Sequence, residues 1–302
     1  MFTSLFGSRW AGGRCLKAGL QVERLDDRLA PATFSFNANT NTAFVEGDLF
    51  GSDAIVILHH GDGSVTVSDE LGNTRDFTDV NRLVVNTHWG DDAVRYKLDG
   101  TLTRDMDIDV DLADGNDRFT GTLNADISSY DSLNVAVNGG GGNDLLTMYG
   151  TPTAPARAND FLTDGLAINE GGLGVGWGAQ LNIEFDGGDG NDRIFVDYRG
   201  ELDGFLMIDA DGGGGDDTVS AIARMTANSI GQVGRLGNPS AVRGGTGIDA
   251  LTFHVFDISG NNRPVLAQID GGEDWWWPYE TDRGSRTGNV AHAGGVEDLD
   301  TV

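Results

Sequence analysis

Between two strand-like runs the chain reads Gly187-Gly188-Asp189-Gly190-Asn191-Asp192, and related short turns return along its length. They end at Asp92, Asp117, Asp144, Asp192, Asp217, Asp249 and, more weakly, Asp274, giving steps of 25, 27, 48, 25, 32 and 25 residues. A repeat of this size means stacked units, each burying its apolar face against its neighbours. The step of 48 is close to twice 24, which predicts one coil whose motif has been lost. A last turn is expected at Gly294-Gly295-Val296-Glu297-Asp298, or read on to Asp300.

Each turn is flanked by period-two segments. Leu133/Val135/Val137, Leu181/Ile183/Phe185 and Leu206/Ile208/Ala210 precede turns, while Leu146/Met148, Ile194/Val196 and Leu251/Phe253/Val255 follow them. Alternation sends these side chains to one face and the polar ones to the other. In-register apolar positions on coils of about 25 residues predict an all-β chain, a parallel β-solenoid with one glycine-Asp turn per coil. A β-propeller or stacked β-sandwich could show similar short strands and stays as the alternative, while the single period favours one elongated repeat domain over two globular ones. Asp117, Asp144, Asp192 and Asp217 should then form a row on one edge, with Val137, Phe185 and Ala210 stacked inside.

Glycine permits the backbone angles of a tight turn whose carbonyls face inward, and the Asn and Asp side chains add oxygens beside them. An oxygen-only ligand set suits a hard cation such as calcium. The candidate ligands are Asp92, Asp117, Asn143, Asp144, Asp189, Asn191, Asp192, Asp216, Asp217 and Asp249. The Gly188 and Gly213 carbonyls are expected to complete the cage between Asp192 and Asp217. The competing reading is a metal-free ladder, in which stacked Asn and Asp side chains hydrogen-bond neighbouring backbone.

Gly187–Phe195 matches every defined position of the nonapeptide G-G-x-G-x-D-x-U-x, where U is a large apolar residue. Gly139–Thr147 matches with Leu146 at U, Gly212–Ser220 with Val219, and Gly244–Thr252 with Leu251. In these residues the chain resembles the RTX or haemolysin-type calcium-binding family. The resemblance implies calcium at the turns and folding on calcium outside the cell. The family's nonapeptides follow one another directly, two to a coil. Here one motif occurs per coil, which allows a single row of turns along one edge.

The net charge is −27, and the first 32 residues carry five basic against three acidic side chains, which leaves −29 on the rest. Such a surface repels nucleic acid and anionic membranes and is relieved by bound cations. Cys15 is the only cysteine, so the repeats have no disulfide or cysteine metal cluster. No apolar run approaches a membrane span. Residues 1–32 read as a leader ending in the small residues Ala30-Pro31-Ala32, and the stretch Val22 to Ala32 resembles the sorting motif at the start of secreted planctomycete-type bacterial proteins. Residues 33–80 are expected to cap the first coil, with Gly61-Asp62-Gly63 as a hairpin turn. Residues 81–302 then carry the repeats, interrupted by an irregular insertion at 151–180.

Other chemistry finds little footing. Asp105-Met106-Asp107-Ile108-Asp109-Val110-Asp111 fails as an EF-hand, with Val110 where glycine is required, and reads instead as a strand with carboxylates along its outer face. Those like charges weakly favour cation uptake. His59, His60, His88, His254 and His292 lack ligand spacing. Trp275-Trp276-Trp277-Pro278-Tyr279 reads as an end cap or a sugar-stacking platform. The expectation is a secreted, non-enzymatic calcium-binding repeat protein of the cell surface or extracellular matrix, with calcium ions and cell-surface polysaccharide or matrix proteins as partners. The rival is a β-helix polysaccharide-degrading enzyme or carbohydrate-binding adhesin, which would gather Asp/Glu with Arg on one face.

Overall fold

The computed structural model describes residues 31–149, 174–226, 228–236, 239–257, 265–271, 283–287 and 299–300. Residues 1–30 of the leader, most of the 151–180 insertion, Asp274, the Trp275–Tyr279 cluster, His292 and the turn at 294–298 lie outside the described residues.

The chain opens with β1 (Thr33–Asn37), β2 (Thr42–Glu46), β3 (Ala54–His59), β4 (Val65–Ser68) and β5 (Thr74–Phe77). From β6 (Arg82–Asn86) it alternates between two sheets: β7 (Ala93–Leu98), β8 (Met106–Asp111), β9 (Arg118–Leu123), β10 (Ser132–Asn138) and β11 (Leu145–Tyr149). The alternation continues through β12 (Gln180–Asp186), β13 (Arg193–Gly200), β14 (Phe205–Asp211) and β15 (Thr218–Met225). Then come β16 (Gln232–Val233), β17 (Ser240–Arg243), β18 (Ala250–Asp257), β19 (Ala267–Asp270), β20 (Arg283–Thr287) and β21 (Leu299–Asp300).

The first sheet runs β1-β2-β6-β8-β10-β12-β14-β17-β19, with β16 also on β14; the second runs β21-β20-β18-β15-β13-β11-β9-β7-β3-β4-β5. All pairings from β6 onward are parallel. Parallel strands one repeat apart need a crossover, and here the crossover is a strand of the other sheet. The all-β expectation therefore holds, as two sheets dominated by parallel pairs.

Register explains the core. Val110, Val137, Phe185, Ala210 and Val242 lie side by side in the first sheet, so the expected inner stack of Val137, Phe185 and Ala210 is present. In the second sheet Phe119, Leu146, Ile194, Val219 and Leu251 form the matching row. All these residues are buried in one cluster, and Phe119 meets Phe185 edge to face at 5.7 Å. Burying a side chain of this kind contributes about 1.5–3 kcal/mol, so a row of identical positions sums to a large driving force.

Two expectations need correction. The 48-residue step contains no lost coil: β10 pairs directly with β12, and β11 with β13. The extra residues all fall in one connection between β11 and β12. Residues 33–80 are also more than a cap, since β2 and β3 already pair in parallel with β6 and β7. Only β1 and the antiparallel strands β4 and β5 cover the two sheet edges, where unpaired backbone would otherwise invite another strand. Arg75 ties those covers together: it donates to the Phe34 carbonyl at 2.6 Å and lies over the Phe77 ring. The Gly61-Asp62-Gly63 hairpin forms as expected.

Candidate functional site

From the β2–β3 turn to the β17–β18 turn, the turns that lead from the first sheet to the second stack along one edge. From Thr87 to Asp249 each such turn is six residues long. Their third residues, from Trp89 through Asp114, Gly141, Asp189 and Gly214 to Thr246, bridge in one parallel line. Backbone amides and carbonyls link successive turns directly; Gly214 N–H donates to Gly188 O at 2.7 Å, and Thr246 N–H to Gly213 O at 2.8 Å. The two carbonyls expected in a cation cage are thus already engaged by the next turn.

Glycine is required at the fourth position. Gly142, Gly190 and Gly215 have φ of 132°, 150° and 135°, and a Cβ on any of them would overlap the carbonyl oxygen of the glycine one turn earlier. At the second position His88 and Ala113 adopt φ of 66°, so the first two turns keep the geometry without the second glycine.

The candidate ligands separate into three lines. Asp92, Asp117, Asp144, Asp192, Asp217 and Asp249 end their turns and are buried. Each accepts, through Oδ1, the backbone amide of the equivalent aspartate one repeat earlier. Asp92 N–H donates to Asp117 at 2.6 Å, Asp117 to Asp144 at 2.7 Å, Asp144 to Asp192 at 2.7 Å, Asp192 to Asp217 at 2.8 Å and Asp217 to Asp249 at 2.9 Å. Asp53, not foreseen from the sequence, heads the row, because its amide donates to Asp92 at 2.7 Å. Its signal was Gly47-Asp48-Leu49-Phe50-Gly51-Ser52-Asp53, the same turn with one residue inserted.

A second line is exposed. Asn143 N–H donates to Asn116 Oδ1 at 3.0 Å, Asn191 to Asn143 at 2.8 Å and Asp216 to Asn191 at 2.7 Å. Asp189 stands at the exposed apex, in the third line. Among the described residues no three His, Cys, Asp or Glu side chains converge as a metal cluster. The outer face of β8 is accounted for without a cation: Asn134 donates to Asp107 at 2.6 Å, Arg82 to Asp109 at 2.7 Å, and Asn138 to Asp111 at 3.2 Å.

What the ladders do not satisfy is the other oxygen of the buried line. Oδ2 of Asp92, Asp117, Asp144, Asp192 and Asp217 is buried with no hydrogen-bond partner, as is Oδ1 of Asp53. Burial pushes Asp117 and Asp53 up to about 7 and Asp192 and Asp217 up to about 6; the accepted amide opposes this, and neighbouring carboxylates add to it. Asp92 and Asp144 are raised for the same first reason. A buried charged oxygen without a partner is costly. Either a proton or a cation relieves it; carboxylate oxygen is the donor type that calcium takes, and each such oxygen here would contribute one ligand of the several calcium needs.

His59 is a core residue, fully buried with Nδ1 2.9 Å from the Tyr96 hydroxyl, and burial pushes it down to about 4. No protein-family model, curated protein or solved structure matches the chain.

Proposed function

We propose that the chain closes into a parallel β-solenoid stabilised by calcium along its aspartate edge, and that it serves, without catalysis, as a cell-surface or extracellular matrix component. One observation carries the reading: a continuous row of buried carboxylates, each with one oxygen bonded to backbone and the other unpartnered. Asp92, Asp117, Asp144, Asp192 and Asp217 would hold the ions through those second oxygens. Calcium would supply charge neutralisation there, and binding free energy would become folding free energy. Outside the cell, where calcium is abundant, such a fold is complete.

Thermal unfolding at pH 7.5 tests this. Calcium should raise the melting temperature well above that in chelator, and magnesium should not reproduce the effect. Asp192→Asn keeps the ladder acceptor and removes one buried charge. It should raise the melting temperature of the metal-free protein and weaken calcium binding about tenfold. Identical melting temperatures with calcium and with chelator, in both proteins, would defeat the proposal.

A further inference from the structure

We propose that the cleft on the outer face of the first sheet is a binding site for a neutral oligosaccharide. It rests on no part of the calcium reading, since the cleft lies on a sheet face and the aspartate row on an edge.

The cleft encloses about 550 Å³ and is lined from β6, β8, β10, β12 and β14, with Arg235 and Pro239 from the segment between β16 and β17. Parallel register sets its lining in rows at strand spacing, about 4.8 Å. One row is a hydrogen-bonded relay across three strands: Asn182 Nδ2 donates to Asn134 Oδ1 at 2.5 Å, and Asn134 Nδ2 to Asp107 Oδ1 at 2.6 Å. In the next row Ala136 stands between Asp109 and Glu184. Its methyl group leaves a gap on the floor, flanked by two carboxylates. Arg235 lies over the Phe205 ring at 3.9 Å.

An aromatic pair stands where these strands begin. Tyr130 and Trp177 meet edge to face at 5.4 Å and are 70% and 56% exposed. They precede Ser132 and Gln180, the first residues of β10 and β12, and Gln180 itself lines the cleft. Exposed aromatic faces of this kind suit the apolar face of a pyranose.

The chemistry selects the ligand class. Amide, carboxylate and guanidinium groups at fixed spacing offer donors and acceptors together, as a polyhydroxylated ligand needs. Four carboxylates, Asp107, Asp109, Glu184 and Asp209, against Arg82 and Arg235 repel a polyanion. A polycation finds reduced charge, because Arg82 pairs with Asp109 and Arg243 with Asp209, and Arg235 in the same lining offsets part of what Asp107 and Glu184 leave.

Isothermal titration of the full chain in calcium buffer, with neutral tetra- to hexasaccharides of glucose, xylose and mannose as probes, tests the assignment. At least one should bind with a shift in tryptophan fluorescence. Ala136→Trp, which fills the floor, and Trp177→Ala, which removes the stacking ring, should each weaken that binding about tenfold with unchanged circular dichroism. If Ala136→Trp does not fold, Asn182→Ala replaces it, with weakening of the same sense expected. Absence of binding to every neutral probe at millimolar concentration would overturn the proposal. So would undiminished binding in the folded variants, or an arginine-rich peptide binding in place of the sugars.

Discussion

The two edges of the molecule, built from the same chain, obey different rules. On the aspartate edge the turns from 87–92 to 244–249 are all six residues long. On the opposite edge the connections run over 99–105, 124–131, 150–179, 201–204 and, with β16 inside it, 226–239, so most of the variation in repeat length is concentrated there. Its regular feature is a single line of bridges, Leu102 to Ile127 to Val175 to Leu202. The aspartate edge carries backbone stacking, two side-chain ladders and glycines without room for a Cβ. Three interlocking constraints fix a length; one line of bridges does not, so insertions collect where they disturb least.

Substitution on the rigid edge gives the strongest way to break this contrast. Gly190→Val places a branched side chain where the Gly142 carbonyl lies, at a φ that disfavours it. It should abolish cooperative folding or lower the melting temperature by more than about 8 °C, roughly 5 kcal/mol for a chain of this size. A folded variant within a few degrees of wild type would show that the turns are not directly stacked.

The next effect is electrostatic. An acid whose pKa is raised on folding stabilises the fold below its unfolded value, near 3.8, and loses that contribution as pH rises through the folded value. With Asp192 and Asp217 at about 6 and Asp53 and Asp117 at about 7, the loss falls between about pH 4 and 7. The melting temperature in chelator should fall across that window, and Asp192→Asn should flatten the fall. An equal slope in both proteins would assign the trend to overall charge repulsion instead.

Changes on the permissive edge should be milder. Replacing 150–173 by two residues leaves a connection as long as 124–131, because Asp144 already donates to Asp192 across the insertion. The melting temperature should shift by less than about 5 °C. The smallest effect belongs to the exposed ladder: Asn191→Ala removes the acceptor for Asp216 and should cost about 1 kcal/mol, measured by denaturant unfolding.

The sequence was informative wherever a rule repeats locally. Period-two alternation placed Val137, Phe185 and Ala210 in one stack, and the glycine spacing placed the aspartates in one row. It misled at the 48-residue step, since a long connection and a missing coil consume similar lengths. Asp53 escaped notice because one inserted residue breaks its turn motif and β4 and β5 stretch its step to Asp92 to 39 residues, while the amide-to-carboxylate bond survives. The partners of the β8 carboxylates stayed hidden for a different reason. Asn134 lies 27 residues from Asp107, and only strand register brings them together. The cleft depends wholly on such register, so no local pattern announced it.

The buried ladder also has a direction: every amide donates to the carboxylate of the coil that follows it in sequence. A stack extended toward the carboxyl end therefore always presents one amide that only the next repeat can satisfy, and that open donor moves forward with each repeat added. Six such bonds run from Asp53 to Asp249, and each is made only when the later partner arrives. The polarity of the ladder thereby gives the two ends of any partial stack different chemistry, an open amide at one and an open carboxylate at the other.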